Sequence, residues 1–126
     1  MKTIRQTYNI NAPVEKVWDA LVNPEIIDKW GGGPSKMSDK EGEDFRLWGG
    51  DIYGRNIKVL ENKELVQEWF SEDWKEPSLV TFKLRQKNSQ TTIQLIHKNV
   101  PDKDVDTIDD GWKRYYLGPL KELLEK

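Results

Sequence analysis

His97 is the only histidine in the chain, and no cysteine accompanies it. An imidazole near neutrality could serve as a general acid or base. That chemistry needs a partner carboxylate or hydroxyl and a bound substrate. The neighbouring Asn99 and Pro101 supply neither, so the expected role is structural, a hydrogen bond to the loop that leads into the last helix. Arg55 is the second candidate. It alternates with Tyr53, Ile57 and Val59 on one side of a strand-like segment, which places it on an inward face. A buried guanidinium is costly unless paired, so an inward Arg55 would need a carboxylate or a wet cavity. There it and His97 could orient the polar or anionic end of a ligand. A bulge or register change that turns Arg55 outward, or a structural ion pair, is the competing outcome. Gln6 and Gln67 share the apolar faces too.

An aromatic set surrounds these polar groups. Tyr8, Phe45, Tyr53, Trp69, Phe82, Trp112 and either Tyr115 or Tyr116 should converge on the interior. Flat apolar rings with a few polar tips line most small-molecule sites. The same rings could equally fill a densely packed core.

Other chemistry is excluded or weakly supported. Without cysteine there are no disulfides, thiolate metal sites or thiol nucleophiles. Asp109-Asp110 and one histidine give no metal-ligand spacing, and acids early in a helix are explained by its dipole. Gly31-Gly32-Gly33-Pro34 lacks the Gly-Lys-Ser/Thr ending of a phosphate loop and should instead form a flexible lip, with Trp30 and Trp74 beside a cavity mouth. A net charge of −2 argues against nucleic acid, which demands a basic face. No apolar run approaches the roughly 20 residues of a membrane span. The amino terminus enters a strand pattern at once, so a cytoplasmic protein without a cofactor is expected.

The elements that must position these groups follow from periodicity. One domain over residues 1–126 is expected from the chain length. Lys2–Asn11 alternates as a half-buried strand, with Ile4, Gln6, Tyr8 and Ile10 on one side. Asn11 is a plausible cap, Pro13 suits a first helical turn, and Val14, Val17, Trp18 and Leu21 recur at helical spacing. Pro24 starts a second short helix with Ile26, Ile27 and Trp30 on its apolar side. Strands follow over 44–48, 52–60, 64–71, 79–87 and 91–99, separated by short turns. Consecutive strands with short turns predict an antiparallel sheet. Residues 106–126 form the terminal helix, with a kink expected at Pro119.

The order and spacing of several motifs carry a resemblance. They are Ala12-Pro13-x-Glu15-x-Val17-Trp18-x-Ala20-Leu21, Trp30-Gly31-Gly32, Gly54, Trp69, Leu95-x-His97 and Gly111-Trp112. Together they are similar to the START-like, helix-grip superfamily of the birch pollen allergen, and within it to the C-terminal domain of activators of heat-shock protein 90 ATPase. The resemblance implies an α+β fold: a curved six-stranded antiparallel sheet around a long C-terminal helix, with two short helices after the first strand. It also implies a cavity between helix and sheet that takes a small apolar or amphipathic molecule without catalysis. The expected lining is Tyr53, Arg55, Trp69, Phe82, His97, Trp112 and Tyr116. A chaperone ATPase is the alternative partner, through a protein-interaction surface, and a cyclase or hydrolase of the same fold is the third reading.

Overall fold

The computed structural model describes residues 1–126. β1 (Lys2–Ile10) is followed by α1 (Val14–Val22) and α2 (Pro24–Trp30), then β2 (Asp44–Leu47), β3 (Ile52–Leu60), β4 (Glu64–Phe70), β5 (Ser78–Lys87) and β6 (Gln90–Val100). The chain ends in one long helical segment: α3 (Val105–Gly111), a π-helical turn (Trp112–Tyr116) and α4 (Leu117–Leu124). The six strands form one antiparallel sheet in the order β1-β6-β5-β4-β3-β2. The expected helix-grip fold is what the chain adopts. No helix is long and apolar enough to cross a membrane.

Local chemistry explains the helix boundaries. Asn23 caps α2, its side chain accepting from the Glu25 N–H, and Pro24 occupies the first turn, where a missing N–H costs nothing. Gly31 ends α2 at φ 107°, a left-handed position that glycine adopts freely. α1 departs from expectation. Pro13, not Asn11, is its cap residue, and the Val14 N–H is satisfied from across the fold by Gln86 Oε1 at 2.7 Å. Gly31–Pro34 is not a loose lip either. Gly32 is buried, and a Cβ there would lie 2.7 Å from both Ile27 and the Trp30 ring. Glycine is needed for close packing, and Asp28 pins the following turn through the Ser35 amide and hydroxyl.

β3 shows the largest difference from the sequence pattern. Gly54 and Asn56 face the interior, while Tyr53, Arg55 and Ile57 face solvent. A Cβ at Gly54 would lie 1.8 Å from the Glu68 carbonyl oxygen, so the inward position admits only glycine. Hydrophobic periodicity cannot register a glycine, and the apolar residues beside it suggested the wrong face. A bulge between Asn56 and Lys58 then shifts the phase, bringing Val59 back against the core.

The interior is one continuous cluster of 25 buried apolar residues, drawn from the sheet and from α1, α2 and the C-terminal helix. The helix enters it through Trp112, Tyr116, Leu117 and Leu120. Tyr116, not Tyr115, is the inward tyrosine; Tyr115 is 63% exposed. Gln6 ties the helix to β1, its Nε2 donating to Asp109 Oδ1 and to the Asp109 carbonyl at 2.7 and 2.9 Å. Asp109 is therefore a clamp in mid-helix rather than a dipole partner at a helix start.

Candidate functional site: an aromatic cleft

The helix breaks regularity where it meets the sheet. The Leu117 N–H reaches the Trp112 carbonyl, five residues back, and Tyr116 sits at φ −123°, ψ −84°. The bend expected at Pro119 thus falls three residues earlier. Gly118 permits it, for a Cβ there would lie 1.9 Å from the Lys113 carbonyl oxygen. Widened turns of this kind recur at functional sites. Here the turn brings both Trp112 and Tyr116 to the same side of the helix, facing the sheet.

Those two rings join Trp69, Phe82 and Trp30. Ring centroids lie 4.8 Å apart for Trp112–Tyr116, 4.9 Å for Trp69–Trp112, 4.5 Å for Trp30–Tyr116 and 5.6 Å for Phe82–Tyr116. Two chains of hydrogen bonds lock the tryptophans. Trp112 Nε1–H donates to His97 Nδ1 at 3.0 Å. An indole nitrogen only donates, so Nδ1 is unprotonated and the imidazole proton sits on Nε2. Nε2–H donates to Ser78 Oγ at 2.7 Å, and the Ser78 hydroxyl reaches the Trp69 carbonyl at 3.5 Å. In the second chain, Trp69 Nε1–H donates to Gln67 Oε1, Gln67 Nε2 to Asn56 Oδ1, and Asn56 Nδ2 to the Ser38 and Lys40 carbonyls. Every link is buried or partly buried, where an unpaired polar group would be costly.

Burial depresses the His97 pKa from 6.5 to about 3, so the imidazole is neutral. With both nitrogens engaged it holds Trp112 in place and has no lone pair free for proton transfer. Tyr116 is the opposite case. Its hydroxyl is buried with no hydrogen-bond partner, and burial holds its proton well above the usual phenol range.

These residues line a cleft of about 380 Å³. Its floor is Trp69, His97, Trp112 and Tyr116; Trp48, Ile52, Trp74, Thr107, Ile108, Gly111 and Tyr115 form its walls. No charged side chain lines it, and among its residues no hydroxyl, thiol or carboxylate is paired with a base. The arrangement can hold a flat apolar group, and the hydroxyls of Thr107, Tyr115 and Tyr116 that line it have no neighbouring base to activate them. No group of three or more histidines, cysteines or carboxylates could hold a metal.

Of the seven expected lining residues, Trp69, His97, Trp112 and Tyr116 come together in the cleft. Phe82 is fully buried behind them, against Trp112 and Tyr116. Tyr53 and Arg55 are corrections: both lie on the opposite face of the sheet, where Arg55 pairs with Glu68 at 3.0 Å. Trp74 stands at the cleft as expected, but Trp30 is buried beneath it, its Nε1–H bonded to the Ala20 carbonyl. Trp48 was not foreseen. It reads as the end of β2, yet it leaves the strand at φ 51°, a rare conformation for a bulky residue, and stands edge-on to Tyr116 at 6.1 Å. The Gly49-Gly50 that follows, also left-handed, was the available signal that the chain reverses at Trp48.

Comparison with known proteins sets this geometry in a family. The family described as Activator of Hsp90 ATPase homolog 1-like protein matches residues 11–125. An uncharacterized protein of Schizosaccharomyces pombe is 27% identical over 120 residues, which is 94% of this chain and 36% of that protein. The mouse activator of 90 kDa heat shock protein ATPase homolog 2 is 25% identical over 114 residues, 89% of this chain and 34% of that protein. The chain therefore spans about a third of the length of these relatives. The crystal structure of an HSP90 activator from Plasmodium falciparum has the same fold, with a TM-score of 0.89 at 23% identity over 98% of this chain and 96% of that one. The chain belongs to the activator of Hsp90 ATPase homolog 1-like family.

Proposed function

We propose that this domain is a co-chaperone-type interaction module that acts on an Hsp90-type chaperone ATPase. The supporting observation is the family match over residues 11–125, which takes in every residue of the aromatic cleft. The fold likeness to the Plasmodium falciparum HSP90 activator extends over nearly the whole of both chains, so a unit of this size suffices for that architecture. The test is direct. Purified chain is titrated into an Hsp90-type chaperone while ATP hydrolysis and binding are followed. The expected result is saturable binding with a rise in ATPase rate. Absence of both, with the protein folded, would remove the chaperone reading.

A second reading rests on the cleft itself. A cavity of about 380 Å³ lined by rings and no charge has the size and character of a small-molecule site. A flat, largely apolar molecule would stack on Trp112 and Tyr116 and be held between Trp48 and Trp74. An amide-resolved NMR titration with fatty acids, flavonoids, aromatic polyketides and sterols tests this. Saturable shifts at Trp48, Trp74, Gly111 and Trp112 are expected for the correct class. A flat response to all classes would leave the cleft without a small-molecule role.

A further inference from the structure

The outer face of β2–β4 carries a surface unrelated to the cleft. Strand register lays two rows of side chains across it. In the first, Lys36, Arg46, Tyr53 and Phe70 are successive cross-strand partners. In the second, Asp44, Arg55 and Glu68 are. In the second row Arg55 is neutralised by Glu68, with Nη2 at 3.0 Å from Oε1, and Asp44 is left as an unpaired carboxylate. The first row has no such pair. Lys36 and Arg46 stand opposite each other at the sheet edge, and neither takes part in any ion pair. Like charges directly opposed weaken a sheet. Beside them Tyr53 and Phe70 stack with centroids 5.6 Å apart and planes 11° apart, leaving Tyr53 43% exposed. A groove of about 490 Å³ joins these features; with Arg55 held by Glu68, its unpaired charges are the two cations Lys36 and Arg46 against one carboxylate, Asp44. In a chain of net charge −2 this is a local reversal of sign.

We propose that this groove docks an acidic segment of a protein partner, one carboxylate lying between Lys36 and Arg46 and a neighbouring apolar side chain lying on Tyr53 and Phe70. Charge complementarity selects the sign of the partner. The row of four residues crosses three strand spacings, roughly 14 Å, which matches about four residues of extended peptide. A small free anion would engage the cations and leave the rings bare. The surface follows from strand register alone and does not depend on the chaperone reading.

The test uses the full chain and a short synthetic peptide of glutamates around one phenylalanine, followed by amide-resolved NMR. Shifts are expected at Lys36, Arg46, Tyr53, Arg55 and Phe70. Affinity should fall about tenfold between about 50 and about 300 mM NaCl. Lys36→Gln with Arg46→Gln should weaken binding at least ~10-fold while keeping or raising the melting temperature, because the removed cations repel each other. Tyr53→Ser should weaken it several-fold, and Lys16→Glu on α1 should leave it unchanged. The proposal is overturned by shifts confined to the cleft, by an equal loss in Lys16→Glu, or by unchanged affinity in the Lys36/Arg46 double variant. It is also overturned if inorganic phosphate or anionic phosphatidylserine vesicles reproduce the response with no dependence on Tyr53.

Discussion

His97 has the residue type of a catalyst and the environment of a strut. Its two nitrogens are spent on Trp112 and Ser78, and Trp69, Trp74 and Trp112 surround its ring. The depressed pKa has a consequence for stability. Below pH 6.5 the unfolded chain protonates this imidazole, whereas the folded one resists until about pH 3. Stability is full above the unfolded value and declines as pH falls through that window, by about 2 kcal/mol between pH 7 and pH 5. Urea midpoints across that range should show the decline, and His97→Gln, whose amide can still accept from Trp112 and donate to Ser78, should flatten it. An undiminished slope in that variant would assign the acid sensitivity to carboxylates instead. Tyr116 invites the reverse experiment. Its unpaired buried hydroxyl contributes desolvation cost without a bond. Tyr116→Phe should therefore be neutral or stabilising by up to about 1 kcal/mol in thermal melts. A clear loss would reveal a partner for the hydroxyl.

At the scale of elements, the π turn decides the shape of the cleft, and two glycines report on it differently. Gly118 is wedged against the Lys113 carbonyl, whereas a Cβ at Gly111 would meet nothing closer than Tyr115 at 3.9 Å. Gly118→Ala should cost about 1–3 kcal/mol and disturb the Trp112 and Tyr116 rings. Gly111→Ala, at φ −61° in a regular helical turn, should stabilise by about 0.5–1 kcal/mol. Chemical denaturation of the pair checks both, and equal effects would mean that the turn is not held by the close contact at Gly118. Strand β3 makes a related point. Its inward glycine and its bulge exist because β3 must pass close to the Glu68 carbonyl and then recover the core.

For the whole molecule, the sheet separates two surfaces of different chemistry. The inner side presents an uncharged aromatic cleft, the outer side a charged groove with a stacked pair of rings. Salt distinguishes them, since exposed charges are screened and apolar contacts are not. If the domain stimulates a chaperone ATPase as proposed, stimulation through the outer groove should fall as ionic strength rises from about 50 to about 300 mM, and stimulation through the cleft should hold or increase. Lys36→Gln with Arg46→Gln, assayed for ATPase stimulation at both salt concentrations, checks the assignment.

Much of this molecule is determined by sequence alone. Asn23-Pro24 and Gly31 bracket α2 through capping chemistry that acts within a few residues. Alternation over β1, β4, β5 and β6 marks the inward faces, because one side of each strand is apolar. The inward placement of Trp69 and His97 follows from those faces, whereas the choice of Tyr116 over Tyr115 beside Trp112 came from the packed helix. Tertiary structure alone decided the rest. A glycine at position 54 has no side chain to announce its direction, so the face of β3 depended on a close crossing with β4. The partner of Val14 lay in β5, the turn at Trp48 depended on packing against Tyr116, and the catalytic potential of His97 was removed by an indole fifteen residues away. Local pattern records which residues avoid water. Which polar groups find each other once water is gone is settled by contacts far apart in the chain.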